Sequence, residues 1–182
     1  MSIYPPDKIW WKPIDREEKI WLILSVIWLM FTFFLMPVLH VYGKQNPPEL
    51  SYSVTAARYE DLANKFIQKY QVKDEQGNPV ALNGVPVVHP EPGGDAYIIA
   101  RAWSWEPVLE LEKGKTYRIH LSSLDFQHGF SLYPLNMNIV AIPGQDYIMR
   151  IKPTSSGEFS ILCNEYCGIG HHTMVGKLIV KE

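Results

Sequence analysis

Residues 163–174 read Cys163-Asn164-Glu165-Tyr166-Cys167-Gly168-Ile169-Gly170-His171-His172-Thr173-Met174, and they hold both cysteines of the 182-residue chain. Thiolate, imidazole and thioether are soft or borderline donors, and in combination they select copper over hard ions such as magnesium or calcium. Three residues separate Cys163 from Cys167, and Gly168 and Gly170 follow, so a loop can fold both sulfurs toward one centre. His171 and Met174 return to that centre from the same loop. A further ligand is expected from elsewhere in the fold. His128 is the candidate, 35 residues before Cys163, at the end of an expected strand and next to Gly129. One ligand on a strand and the rest on a loop make a pre-organised electron-transfer site, because fixed geometry limits reorganisation when the metal changes oxidation state. One thiolate serves one copper; two can bridge a pair.

Two plainer readings compete for the same residues. Cysteines four apart in an exported domain also fit a disulfide, and two Cys with two His also fit a tetrahedral zinc site. Met174 and the remote His128 weigh against both.

Upstream of the loop, short β-prone runs (AYIIARAWSW, KTYRIHLSS, DYIMRIK and GEFSIL, with GKLIVKE after it) are broken by Gly, Pro and Asp turns. They indicate an antiparallel sandwich or barrel from residue 95 to residue 182. The stretch 74–94, rich in Pro and Gly, reads as an extended connection. Before it, Ala56, Tyr59, Leu62, Phe66, Ile67 and Tyr70 recur at helical spacing, with Ser53 or Thr55 placed as cap. Residues 43–94 are therefore expected to form an exported linker carrying one short amphipathic helix.

From Ile20 to Leu39 no residue carries a formal charge, and a helix of about 20 residues spans a bilayer core. Residues 20–42 read as a transmembrane helix bounded by Glu17, Glu18, Lys19 and Lys44, with Trp21 and Tyr42 suited to the two interfaces. The run exceeds a signal-peptide core of about 7 to 15 residues, and HVYGKQ after it lacks a cleavage pattern, so an uncleaved anchor is expected. Lys8, Lys12, Arg16 and Lys19 precede it, while Lys44 and Arg58 follow within about twenty residues. This asymmetry puts residues 1–19 in the cytoplasm and the remainder outside. A net charge of −2 with no long block of one sign excludes a nucleic-acid-binding patch.

Taken together, Cys-x-Glu-x-Cys-Gly-x-x-His-x-x-Met, the upstream His128 and the anchor resemble subunit II of cytochrome c oxidase. The resemblance implies a mainly β, cupredoxin-type Greek-key barrel or sandwich carrying the binuclear copper centre called CuA. Carried over by position, Cys163 and Cys167 would bridge both coppers, His128 and Met174 would complete one, and His171 with the carbonyl of Glu165 the other. It implies, too, that the Glu165 side chain faces the catalytic subunit, where family members hold a magnesium ion. The Trp103-Ser104-Trp105-Glu106-Pro107 run stands where the family receives electrons from cytochrome c. Of its two tryptophans Trp105 is chosen for that role, one of the pair being expected to pack inside. The single anchor and the HGFSLYPLNMNIVAIPG stretch are similar to the smaller subunit II of the B-type oxidases.

The implied function is the electron-accepting subunit of a respiratory oxidase in the cell inner membrane. It would take electrons from cytochrome c and pass them to heme in the catalytic subunit I, where dioxygen is reduced and protons are translocated. The alternative is a stand-alone, membrane-anchored copper-binding or copper-delivery protein. No Cys-x-x-Cys-His heme-attachment pattern occurs in the sequence. His172 is expected at a surface, His120 and His89 as structural or solvated, and His40 at the membrane boundary.

Overall fold

The computed structural model describes residues 13–43, 48–135 and 137–182, so Lys8, Lys12 and Lys44 of the charge argument lie outside the described residues. The chain divides into two compact units, Met1–Gln45 and Asn46–Glu182.

The first unit contains α1 (Arg16–Tyr42), 27 residues and about 40 Å of helix. Asp15 caps it, accepting from the Glu18 backbone N at 2.7 Å, and the Gly43 N–H closes it on the Leu39 carbonyl at 2.8 Å. Ser25 and Thr32 donate their hydroxyls to the carbonyls of Trp21 and Trp28, which satisfies the polar groups within the helix itself. Trp28, Phe31, Phe34 and Met36 are all exposed, so α1 has the length and the outward apolar surface of a membrane anchor.

The second unit opens with β1 (Leu50–Ser53) and α2 (Ala56–Tyr70). The short strands β2 (Ala81–Leu82) and β3 (Val85–Val88) follow. Next come β4 (Asp95–Arg101), β5 (Ser104–Glu106), β6 (Val108–Glu112) and β7 (Tyr117–Ser123). The last strands are β8 (His128–Tyr133), β9 (Asn138–Ala141), β10 (Gln145–Ile151), β11 (Gly157–Cys163) and β12 (Val175–Lys181). One sheet runs β1-β10-β7-β4-β5 and the other β2-β3-β6-β12-β11-β8-β9. Alternate side chains of both meet in one core that includes Ile98, Trp105, Leu109, Ile119, Leu121, Phe130, Ile161 and Leu178.

The β-sandwich preceded by one apolar helix and one amphipathic helix agrees with the architecture anticipated from the sequence. The pairing is mixed rather than wholly antiparallel, since β4 lies parallel to β7, and β6 parallel to both β3 and β12. Residues 43–94 hold more structure than a linker with a helix. β1 pairs with β10 and β3 with β6, and α2 buries Tyr59, Ala63 and Phe66. Thr55, rather than Ser53, caps α2 by accepting from the Arg58 N–H at 3.3 Å. Tyr59 donates its hydroxyl to the Ile98 carbonyl on β4 at 2.9 Å, so the helix is tied to a central strand by a bond as well as by apolar contact.

Candidate metal centre

The loop joining β11 to β12 is positioned by strand pairing on both sides. Cys163 is the last residue of β11, and its N–H donates to the Met174 carbonyl just before β12 at 3.2 Å. Asn164 N–H donates to the Gly129 carbonyl on β8 at 3.2 Å, which brings the start of the loop beside His128. A Cβ on Gly129 would meet Asn164 and the Glu165 backbone, so the close approach requires glycine there. Farther along, a 3-10 turn over His171–Thr173 closes on the Gly168 carbonyl and aims His171 back at the sulfurs.

All six donors anticipated from the sequence come together. The two sulfurs of Cys163 and Cys167 lie 3.7 Å apart, and both cysteines are free. Cys163 Sγ is 4.0 Å from His128 Nδ1 and 3.2 Å from the Glu165 carbonyl oxygen. Cys167 Sγ is 3.6 Å from His171 Nδ1 and 3.8 Å from Met174 Sδ. Ligand atoms of His128, Cys163 and Cys167 fall within 4.8 Å of one another. His128, Cys167 and Met174 are buried, and His171 partly reaches solvent. Two thiols, two imidazoles, a thioether and a carbonyl converging at these distances fit copper in chemistry as well as in place.

Burial pushes the Cys167 thiol up to about 11, helped by its hydrogen bond with Cys163, the charge of that neighbour and that of Asp125. Without a cation Cys167 therefore keeps its proton at neutral pH; a bound metal ion reverses that balance and deprotonates a coordinating thiol. Asp125 behaves in the opposite way. Burial alone would raise its carboxyl, but hydrogen bonds from His128 and from the Ala102 and Phe126 amides outweigh it and hold the group below its usual value.

Trp105, chosen from the sequence for electron entry, lies in the core. It is 2% exposed, opposite Ala100 in the β4–β5 pairing, with its ring 6.2 Å from that of His128 and 5.5 Å from that of Phe130. Trp103, in the turn between those strands, is 41% exposed. Its indole N–H donates to the Cys167 carbonyl at 3.3 Å, and its ring lies so close over Gly170 that a Cβ there would collide with it. The bond from Trp103 to the loop and the contact of Asp125 with His128 were not anticipated from the sequence. For Asp125 a signal was present, an acid three residues before His128; Ala102–Trp103 carries no turn-forming residue to mark the turn there. Of the other histidines, His172 is exposed, whereas His120 is buried between Asp146 at 2.7 Å and Asp95 at 3.3 Å.

No family model matches the chain. Among curated proteins it is similar to two cytochrome c oxidase subunit 2 proteins of Thermus thermophilus, at 36% identity over 87 residues, 47% of this chain. Those matches span 64% and 52% of the two relatives' own lengths. It is also similar to heme-copper oxidase subunit 2 of Aeropyrum pernix, 44% identical over 64 residues, 34% of this chain and 27% of that one. A chain of a heme-copper terminal oxidase dimer, solved by cryo-EM, superposes with a TM-score of 0.58 at 27% identity. That superposition covers 91% of this chain and 100% of the other. The chain is similar in sequence and in fold to oxidase subunit 2. The relatives it matches carry the name of oxidase subunit 2, and the structure on which it superposes is a chain of a heme-copper terminal oxidase.

Proposed function

We propose that this chain is the membrane-anchored, electron-accepting subunit of a respiratory heme-copper oxidase, and that its donor cluster holds the binuclear copper centre CuA. The observation that carries the reading is the pair of free sulfurs 3.7 Å apart, flanked by two imidazoles, a thioether and a backbone carbonyl. Cys163 and Cys167 would bridge the two ions, His128 and Met174 complete one, and His171 with the Glu165 carbonyl the other. When bound, the copper pair supplies one-electron storage and relay with little change of geometry.

The protein's own residues do the rest. The strand ends and the loop fix the donors, and burial of His128 and Met174 keeps water from them. Trp103 stands between solvent and the Cys167 carbonyl, and we place electron uptake from cytochrome c there rather than at Trp105. In this reading α1 anchors the chain with its N-terminus in the cytoplasm and the sandwich outside. The partners are a heme-bearing catalytic subunit and further oxidase subunits, with a magnesium ion at the Glu165 carboxylate between subunits.

A copper-delivery protein needs accessible, exchangeable ligands, and the burial of His128 and Met174 argues against that role. The test uses the full chain purified in detergent and loaded with copper. Two coppers per chain with a mixed-valence spectrum, and co-purification with a multi-span heme protein, are the expected results. One copper per chain, or zinc held in preference, overturns the binuclear reading.

A further inference from the structure

We propose that Asp125 is a positioning residue for the centre, with one carboxylate fixing both the ring of His128 and the turn that carries Trp103. Asp125 Oδ1 lies 2.8 Å from His128 Nε2, and the same oxygen accepts the Phe126 N–H at 2.6 Å. Asp125 Oδ2 accepts the Ala102 N–H at 2.7 Å, from a residue 23 positions earlier in the chain. Ser123 adds a hydroxyl contact at 3.3 Å.

Two consequences follow. An ionised carboxylate only accepts, so His128 carries its proton on Nε2 and turns an Nδ1 lone pair toward Cys163 Sγ. The ring is fully buried, so solvent reaches that bond only from the side of Asp125, whose side chain is 29% exposed. On its other side the carboxylate holds the amide of Ala102, directly before Trp103, whose indole bonds the carbonyl of Cys167. The donor-facing turn and the metal-facing imidazole thus share one support, and neither can shift without straining the other.

The proposal rests on the copper reading for its effect on the metal, while its effect on the histidine does not need metal. The test compares the full-length chain in detergent with Asp125→Asn, which is isosteric, carries no charge and has one acceptor oxygen instead of two. In the metal-free protein, nitrogen NMR is expected to show His128 protonated on Nε2 in the parent and a mixed tautomer in the variant. Exchange of the Ala102 amide is expected to quicken. After copper loading, affinity should fall by about 10- to 100-fold, as for other outer carboxylates that orient a ligating histidine. The reduction potential should rise, because the imidazole becomes a poorer donor to the oxidised centre. Asp125→Glu restores a carboxylate and should recover part of the Nε2 tautomer.

An unchanged tautomer overturns the proposal, and so does an unchanged potential in the loaded variant, since a merely structural role would lower occupancy without moving the potential. If the parent binds no copper pair, the copper reading fails while the tautomer and amide-exchange results still judge Asp125.

Discussion

Trp103 and Trp105 are two residues apart, and their surroundings separate them completely. Trp105 packs against Phe130 and His128 and over Gly176, whose missing Cβ makes room for the indole. Truncating it to Ala should cost about 3–5 kcal/mol, the usual range for a large aromatic removed from a core, and should weaken copper binding through loss of fold. Trp103→Phe should leave folding and copper content unchanged but lower the rate of electron uptake from reduced cytochrome c by on the order of tenfold to a hundredfold. Stopped-flow kinetics on copper-loaded protein checks this, and normal uptake in Trp103→Phe would remove that residue from the route. The gathering of donors was legible in the sequence because five of those residues fall within twelve positions. Which of the two tryptophans packs inside was not legible, because it depends on a hairpin turn at Ala102–Trp103 that places only Trp105 opposite Ala100.

At the level of elements, α2 is the piece whose sequence signal and structural role agree most closely. Its apolar spacing identified the face, and Tyr59, Ala63 and Phe66 occupy it. The parallel pairings were hidden because β6 meets β12 across more than sixty residues, and no local alternation encodes so remote a neighbour. Tyr59 makes the docking of α2 measurable. Burial, then the nearby charges of Asp146 and Tyr97, push its pKa well above the ordinary value of about 10. Below that value the hydroxyl is protonated in both folded and unfolded chains, and its contribution is fully present. As pH rises further the unfolded chain releases the proton while the folded one keeps it, so stability falls toward the folded pKa. Tyr59→Phe should therefore cost about 1 kcal/mol at neutral pH through the lost bond to Ile98 and should flatten the alkaline decline. Urea unfolding of parent and variant from neutral to strongly alkaline pH gives the comparison. Parallel declines would show that Tyr59 is not the group responsible, leaving Tyr52, Tyr97 and Tyr117, whose pKa values are also raised.

For the whole molecule, what matters is the side of the membrane on which the sandwich stands. The helix itself does not decide it, since both ends of α1 are capped and its apolar surface runs along its length. Charge does. Lys8, Lys12, Arg16 and Lys19 precede the apolar run, and positive charge flanking an anchor is retained on the cytoplasmic side. The copper donors would then lie on the outer side, where a soluble electron donor reaches Trp103 and where free cysteines need metal or reductant to stay unoxidised. The test is proteolysis of spheroplasts expressing the full chain with tags at both ends. Protease added outside should destroy the C-terminal tag and spare the N-terminal one, and replacing the four basic residues with Gln should weaken that bias. Protection of the C-terminal tag in the parent would put the sandwich in the cytoplasm, and with it would fall the proposal that an exported cytochrome c delivers its electrons here.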